Sequence, residues 1–418
     1  MKAMEFWKHF PAKDTLLITE QPWMVETPDI NAHLHTPFSF SAFDTIEQAF
    51  KMAKEENVKV VGINDFFTMN GYAEWAKFAT IYKVFPLFNI EFVGLSDEEQ
   101  VNGVRINDPN NPGRIYLSGK GLTFPVRLPE PYSSQLATVK HNANLQVEEM
   151  CDALNAHLKR VGLDFRFSYA GIEKKYTKGL VRERHLAKAL REEVFSRYNS
   201  NQDRLKTLEQ IFEGGVVKSE ISDDASLENE IRSNLLKAGG PAFIPENAEQ
   251  FLSLAQIREL ILKAGGIPTY PLLADSLNGG YTEFEEGKEE LMKKLVAKGI
   301  FSIEFIPNRN SMESLLEYAG FFSERGFLVT MGSEHNTPEL LPVRLFDKKK
   351  KQLSESLKRI NFEGAAITAA HQYLKGKDQT GFLDDGGEVV PGQREELIKL
   401  GTSLIHFFNS HSNDIIKL

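Results

Sequence analysis

The sequence predicts an α/β fold in which mostly parallel strands form a barrel-like sheet. Two observations indicate this fold. Strands rich in β-branched residues alternate with helical patterns early in the chain, and the same alternation returns after an irregular middle section. Together these stretches contain at least six strands with helices between them, which is typical of a barrel rather than a small open sheet. A chain of 418 residues is long enough to bury such a core.

The first stretch of alternation precedes residue 95. The run VKVVGIND is β-branched and ends in polar residues, as a buried parallel strand does at its carboxyl end. The predicted elements, in order, are an extended segment at 27–30, a helix at 44–56, a strand at 58–65, a helix at 72–83 and a strand at 85–94.

The second stretch begins near residue 254 and repeats the pattern three times. Helices with apolar residues at helical spacing precede strands such as GIPTYPLL and FLVTMGSE. The predicted elements are helices at 254–264, 283–299 and 312–326, and strands at 266–273, 301–307 and 327–334.

The regions outside this pattern suggest a division of the chain. We predict an N-terminal extension at 1–28, a barrel at 29–342 and a helical C-terminal extension at 343–418. Within the barrel, residues 95–180 are turn-rich, include a long helix from Asn142 to Val161, and are predicted to form an insertion or lid. The basic run at 348–351 is interpreted as a solvated helix face.

Composition narrows the class of protein. The only cysteine is Cys151, which excludes a disulfide framework and a cysteine-rich zinc site and suits a reducing cytoplasm. No membrane-spanning stretch or signal peptide is predicted. The formal net charge of −9 argues against a stable nucleic acid partner. We therefore expect a cytoplasmic protein that acts on a small molecule, with its oligomeric state open.

Polar residues cluster at the predicted carboxyl ends of strands, where parallel α/β folds place their chemistry. His33 and His35 are two positions apart, so both rings point to the same face of an extended strand. Glu91 lies within an apolar run, where an unpaired carboxylate would cost several kcal/mol, and it therefore requires a cation. Imidazoles and carboxylates together suit zinc, manganese or iron. The other polar residues at strand ends are Asp65, Glu334 and His335.

Simpler interpretations exist for these residues taken singly. A lone histidine at a strand end is more often a satisfied core residue, and Asp65 could cap the following helix. Cys151 has no base near it in the sequence, so a nucleophilic role is not expected. The hypothesis of a metal site therefore depends on the combination of residues.

The combined pattern resembles the polymerase and histidinol phosphatase (PHP) family of metal-dependent phosphoesterases. The segments that carry the resemblance are AHLHTPFSF, VVGIND, NIEFVG, RERHLAKAL, AGGIPTYP and MGSEHNTPE, in the family's order between about residue 29 and residue 340. The resemblance implies a distorted seven-stranded β/α (TIM-like) barrel. It also implies that divalent ions are held by His33, His35, Glu91, His185 and Glu334.

The sequence also departs from the family pattern. Phe40, Phe66 and Asn336 stand where the family places polar or histidine residues that contribute to a third metal. Pro271 or Leu272 stands where a histidine of the second metal is expected. We therefore expect a reduced centre with one or two ions, whose third site is partly filled by aromatic side chains.

The leading hypothesis is a phosphoesterase that uses metal-activated water on a small phosphorylated substrate. Catalytic roles are predicted for Asp65, His335 and Arg184, and no residues are assigned to an organic cofactor. Two alternatives stay open. One is an amidohydrolase-like or uronate-isomerase-like metal enzyme with a non-phosphate substrate, and the other is a degenerate barrel with a binding role.

Overall fold

The computed structural model describes residues 3–18, 27–247, 250–276 and 280–416. Its strands form one sheet in the order β1-β2-β3-β4-β6-β7-β8, and the short β5 pairs with β3. The strands are β1 (Asp29–Leu34), β2 (Val58–Phe66), β3 (Phe85–Leu95), β4 (Arg114–Lys120), β5 (Leu252–Ser253), β6 (Ile267–Leu272), β7 (Ser302–Phe305) and β8 (Leu328–Met331).

The sheet curves until its first and last strands meet. The amide of His35 donates to the carbonyl oxygen of Glu334 at 2.7 Å, and the amide of Glu334 donates to the carbonyl oxygen of His33 at 2.9 Å. β4 is antiparallel to both of its neighbours, whereas the other pairs are parallel. The result is a nearly closed, seven-stranded, TIM-like barrel, which confirms the predicted fold class.

Helices surround the barrel and extend from it. They are α1 (Lys13–Ile18), α2 (Ile46–Glu55), α3 (Tyr72–Tyr82), α4 (Asp97–Val101), α5 (Tyr132–Arg160), α6 (Tyr169–Tyr176), α7 (Glu183–Arg197), α8 (Asn201–Ile211), α9 (Asp224–Leu235), α10 (Leu254–Lys263), α11 (Lys288–Ala297), α12 (Met312–Glu324), α13 (Glu355–Gly376) and α14 (Arg394–Ile416). Among the helices described, none combines the length and apolar character needed to cross a lipid bilayer.

Helix α13 covers the amino-terminal ends of strands. The side-chain amide of Asn361 donates to the carbonyl oxygen of Ile30 at 3.1 Å. The Gln372 side chain donates to the carbonyl oxygen of Pro86 and accepts from the amide of Phe88. These bonds satisfy backbone groups at one end of the barrel, so the opposite end is left for the polar residues that follow the strands.

Helices α5 to α9 contain a second hydrophobic cluster, separate from the barrel core. Its members are buried apolar side chains such as Leu154, Leu190, Leu208 and Ile231. The cluster lets these helices pack on one another beside the barrel. The predicted division of the chain into domains remains a proposal.

Three predictions before residue 300 differ from the structure. Residues 114–120, which fall in the predicted insertion, form β4 because their backbone pairs with both β3 and β6. The long helix begins at Tyr132 and not at Asn142. The helix predicted from residue 283 begins at Lys288, since Gly287 at its amino end has a φ of 81°.

The basic run at 348–351 is not a helix face. The Asp347 carboxylate accepts the amides of Lys349 and Lys351 and holds the segment in a turn. The Lys348 ammonium lies 2.7 Å from the Asp275 carboxylate, so this part of the run is paired with the barrel. Helix α13 starts only after Ser354, whose hydroxyl accepts the amide of Leu357.

Candidate metal centre

Three buried side chains converge at the carboxyl-end mouth of the barrel. His33 lies in β1, His35 follows it, and Glu91 lies in β3. His33 Nε2 lies 3.2 Å from His35 Nε2, and Glu91 Oε2 lies 3.5 Å from the first and 3.1 Å from the second. Ligand atoms about 2.1 Å from a tetrahedral ion lie roughly 3.4 Å apart, so this triangle has the dimensions of one face of a metal site.

A carboxylate sets the tautomer of His33. Its Nδ1 lies 2.9 Å from Glu304 Oε2. Glu304 is fully buried, and although burial raises its pKa, the nearby Lys120 and His33 lower the pKa well below its usual value. An ionised carboxylate only accepts hydrogen bonds, so His33 carries its proton on Nδ1. In the neutral ring that would bind a metal, Nε2 therefore presents a lone pair to the triangle.

A hydroxyl bridge sets the tautomer of His35. The Ser39 hydroxyl donates to Asp65 Oδ1 at 2.6 Å and lies 3.1 Å from His35 Nδ1. Because its single proton is directed at Asp65, Ser39 must accept from His35. Nδ1 is then protonated and Nε2 again presents a lone pair. Burial raises the pKa of Asp65, while His35 and hydrogen bonds from Ser39 and Thr36 oppose that shift.

Asn64 approaches His33 without occupying this lone pair. Its Nδ2 lies 2.9 Å from His33 Nε2 and 3.2 Å from Nδ1. An atom nearly equidistant from both ring nitrogens at this range must lie over the ring face, because an in-plane atom would overlap Cε1. The in-plane direction of Nε2 is left to the triangle.

The arrangement fits a cation. Glu91 Oε2 is buried and has no hydrogen-bond partner among the described residues. Burial raises the pKa of Glu91, but the facing imidazoles outweigh it and lower the pKa to about 2. Burial lowers the pKa of His33, whereas Glu304 and Glu91 raise it to about 9, so at neutral pH without metal Nε2 also carries a proton, which a bound ion would displace. The cluster therefore favours a bound cation. A divalent ion would supply the positive charge and would accept the lone pairs of the three ligand atoms.

The local backbone makes room for the site. A Cβ at Gly332, just after β8, would lie 2.2 Å from the Cβ of His33. Glycine is therefore required for β8 to approach β1 closely enough to close the barrel. In β3, Glu91 lies opposite Phe66 of β2 and Ser118 of β4 in the strand register. That register places its carboxylate beside the two histidines.

Sequence reasoning missed Glu304. Besides His33, its carboxylate accepts the Ser118 hydroxyl at 2.6 Å and lies 2.7 Å from the buried Lys120 ammonium. The signal was present, because Glu304 interrupts the apolar strand FSIEFIP as Glu91 interrupts FPLFNIEFVG. The burial argument that singled out Glu91 also applies to Glu304, but this carboxylate is satisfied by protein cations and donors.

His185 lies apart from the triangle, at the start of α7. Its Nδ1 accepts the amide of Arg182 at 2.9 Å, and its ring packs edge-on against Phe40 at 5.0 Å. Burial lowers its pKa to about 3, so the ring is neutral and carries its proton on Nε2. In this arrangement it caps a helix, and neither ring nitrogen offers a free lone pair to a metal.

Glu334 also lies outside the triangle. Its backbone pairs with Leu34 of β1, where the barrel closes. Its carboxylate pairs with Arg309, whose Nη1 donates to it at 3.2 Å. The positive φ of 61° at Glu334 turns the chain at this point. Of the five predicted ligands, the structure therefore brings together His33, His35 and Glu91.

His335, predicted to be catalytic, has both ring nitrogens in contact with protein groups. Nδ1 lies 2.8 Å from the Ser333 hydroxyl, and Nε2 lies 2.8 Å from the carbonyl oxygen of Leu341. The ring stacks on Phe43, and burial lowers its pKa to about 4. This environment makes His335 a neutral residue that holds the loop after β8.

Aromatic side chains occupy the positions where the family pattern expects further ligands. The Phe66 ring stacks on His35 with centroids 4.9 Å apart. Phe40 contacts His185, and the Arg184 guanidinium lies over the Phe40 ring at 5.6 Å. Asn336 lines the cavity nearby. Phe66 thus restricts the space next to the triangle, and both phenylalanines line the cavity beside Glu91.

A cavity of about 420 Å³ opens in front of Glu91. Its walls carry six basic side chains and four acidic ones. The basic residues are Arg114, Arg182, Arg184, Arg232, Lys237 and Arg309, and the acidic residues are Glu91, Asp108, Glu183 and Glu334. We call this space the anion cavity because of its excess of positive charge.

The charges around α7 are unevenly matched. Arg182, Arg232 and Lys237 all pair with the single carboxylate of Glu183. Arg184 donates to the neutral Asn229 side chain at 2.8 Å and forms no ion pair with any residue in the described ranges. Burial and the nearby Arg232 lower its pKa to about 10, which still leaves it charged at neutral pH.

Solved structures with a similar fold include two proteins. One, from Bifidobacterium adolescentis and proposed to be a metal-dependent phosphoesterase, aligns with a TM-score of 0.50 and 17% identity over 79% of this chain and 95% of that chain. The other, an amidohydrolase from Chromobacterium violaceum with bound sulfate and no metal, aligns with a TM-score of 0.45 and 16% identity over 79% and 96%. No protein-family model and no curated protein matches this sequence. The first likeness supports a PHP-like barrel fold.

Proposed function

We propose that this protein is a metal-dependent phosphoesterase that holds one divalent ion, zinc, manganese or iron, between His33, His35 and Glu91. The observation that carries the proposal is the triangle of ligand atoms 3.1 to 3.5 Å apart, whose Glu91 also lines a cavity with several arginines. Two imidazoles and one carboxylate with open positions form a donor set found in catalytic metal sites.

The anion cavity favours a negatively charged substrate. Arg184 is partly buried and lacks a carboxylate partner among the described residues, so a bound anion would compensate its charge. Arginine presents planar pairs of donors that match phosphate oxygens. Arg182 and Arg309 line the same space and would help to neutralise the substrate.

Other residues keep the two imidazoles in the tautomer that can bind a metal. Glu304 keeps the proton of His33 on Nδ1, and Ser39 with Asp65 keeps that of His35 on Nδ1. Asp65 already accepts three hydrogen bonds, from the Thr36 amide, the Thr36 hydroxyl and Ser39, so its proposed role is positioning. Phe66 shields one face of His35 from water. When bound, the ion would polarise a phosphoryl oxygen and lower the pKa of a water molecule.

The test combines metal analysis with turnover. The purified protein is stripped with a chelator, reloaded separately with zinc, manganese or iron, and analysed for metal content. Each loaded form is then assayed on panels of phosphomonoesters and phosphodiesters. We expect one ion per chain and phosphate release. His33→Ala and His35→Ala should lose both, and His406→Ala, at an exposed position on α14, is the control.

Different failures have different meanings. Absence of bound metal under all loading conditions would overturn the metal centre. A full complement of metal without turnover of any phosphate would overturn the substrate class. Turnover of amides or lactones instead of phosphates would retain a metal-dependent hydrolase and replace the phosphoesterase proposal.

A further inference from the structure

A second cavity of about 580 Å³ adjoins the anion cavity. The two spaces share wall residues that include Arg114, Tyr116 and Arg182. The ring of Tyr116 lies 6.3 Å from that of Phe66, which in turn stacks on His35. A molecule that reaches the triangle through the anion cavity can therefore extend past Tyr116 into the second space.

The walls of the second cavity differ in chemistry from those of the anion cavity. Helix α5 contributes Val139, Ala143, Val147 and Met150 to one side. Phe67 and Val93, on the barrel, face the same space. We call this space the apolar chamber. Polar side chains such as Asn142, Gln146 and Gln250 lie between these apolar groups. Hydrocarbon placed against the apolar part of the wall would gain by burial.

Arg114 marks the boundary between the two environments. Its guanidinium lies over the Phe251 ring at 5.2 Å and also pairs with Asp108 at 3.7 Å and with Glu246. Arg184, Arg232 and Arg309 line only the anion cavity, whereas the apolar face of α5, Phe67 and Val93 line only the second space. A ligand that fills both spaces has a charged head and an apolar body.

We propose that the substrate is a phosphate monoester of an apolar alcohol, with its phosphate in the anion cavity and its hydrocarbon body in the apolar chamber. This inference rests on the proposed phosphoesterase function, which it deepens by naming the substrate class. Hydrolysis breaks the ester bond, water supplies the new oxygen on phosphorus, and the apolar alcohol leaves with a proton.

The experiment separates binding from turnover. Calorimetry on the metal-loaded protein measures Kd for ethyl-, butyl- and hexylphosphonate, which have the same head group and are not hydrolysed. A parallel assay measures kcat/KM for ethyl, butyl and hexyl phosphate, whose leaving alcohols are chemically alike. We expect Kd to fall, and kcat/KM to rise, about threefold per added methylene.

A cavity-filling variant locates the effect. Ala143→Phe on α5 should remove the advantage of the hexyl compounds and leave the ethyl compounds unchanged. Ala156→Phe, at an exposed position of the same helix, is the control and should behave as the parent protein. If Ala143→Phe does not fold, the chain-length series on the parent protein still decides the question.

The outcomes of the two proposals are distinguishable. Phosphate turnover that is independent of chain length would overturn the apolar substrate and leave the phosphoesterase intact. Chain-length-dependent binding of phosphonates without turnover of any phosphate would support the apolar chamber and overturn the phosphoesterase. A chain-length effect that survives Ala143→Phe would overturn the placement of the hydrocarbon in this chamber.

Discussion

His33 Nδ1 and Glu304 Oε2 lie 2.9 Å apart in the fully buried interior of the barrel, although the two residues are 271 positions apart in sequence. Glu304 is held in turn by Lys120 and Ser118. This contact fixes the proton of His33 on Nδ1 and turns Nε2 toward His35 and Glu91. The carboxylate of β7 thus prepares a ligand on β1 without joining the metal site itself.

Glu304→Gln should weaken metal binding about 10- to 100-fold, the range typical for loss of an outer partner of a metal-binding histidine. The neutral amide can donate toward His33 Nδ1, which would place the imidazole proton on Nε2. Competition with a chelator measures the metal affinity. Glu290→Gln on the exposed face of α11 is the control, and an unchanged affinity in Glu304→Gln would contradict the tautomer argument.

Asp65→Asn should weaken metal binding at least about tenfold, and more than Ser39→Ala does. With the carboxylate gone, the Ser39 hydroxyl is free to donate to His35 Nδ1. The imidazole proton then moves to Nε2, which no longer has a lone pair for a metal. Ser39→Ala only removes a hydrogen-bond partner of His35, so neither tautomer of the ring is enforced. The same chelator competition ranks the variants, with Asp378→Asn on the surface as the control. The reverse ranking would show that Ser39 does not set the tautomer.

Arg184→Met should raise KM for the phosphate substrate about 10- to 100-fold, the range expected for loss of a hydrogen bond to a charged group. Metal content should stay at one ion per chain, because Arg184 lies over Phe40 and does not contact the triangle. Steady-state kinetics and metal analysis of the same preparation test both statements. Arg359→Met at an exposed position on α13 is the control, and an unaltered KM in Arg184→Met would remove Arg184 from substrate binding.

Gly332→Ala should lower the free energy of unfolding by about 1 to 3 kcal/mol and also weaken metal binding. The added Cβ would meet the Cβ of His33 at 2.2 Å and push β8 away from β1. Urea unfolding measures the first effect and chelator competition the second. Gly320→Ala in α12 is the matched control, since its Cβ has no neighbour within 4 Å and alanine favours a helix. Equal stability of the two variants would argue against the tight contact.

Stability should fall as the pH drops below about 6.5, and His371 should account for part of the loss. Burial lowers its pKa to about 3, so the unfolded chain binds a proton that the folded chain rejects. The stability that depends on this neutral ring is fully present above the unfolded pKa and is lost as the pH falls toward 3. The loss amounts to about 2 kcal/mol at pH 5.

His371→Gln isolates this contribution. Glutamine can still donate to the carbonyl oxygen of Gly265 and accept the amide of Phe382, as the imidazole does. Urea unfolding at pH 7.5 and pH 5 should show a smaller stability difference in the variant than in the parent. His185 and His335 remain in both proteins, so their own acid sensitivity cancels in the comparison. Identical differences would mean that His371 does not contribute.

Much of the barrel follows from local sequence. The strand at β3 is predicted at 85–94 and lies at Phe85–Leu95, and α12 is predicted at 312–326 and spans Met312–Glu324. These elements are regular because their apolar residues repeat at strand or helix spacing. The strand β4 was missed, since its membership of the barrel depends on antiparallel pairing with β3 and β6 and not on its own pattern.

The sequence by itself determined the three residues that converge on the candidate metal centre. A spacing of two sends His33 and His35 to one face, and an isolated carboxylate in an apolar strand marks Glu91 as requiring a positive partner. Only the tertiary structure decided which other polar residues join them. The Glu334 carboxylate pairs with Arg309, His185 caps α7, and Glu304 orients His33. The physical reason is that a buried polar group takes whichever partner the closed barrel brings within hydrogen-bond distance, and that partner lies far away along the chain.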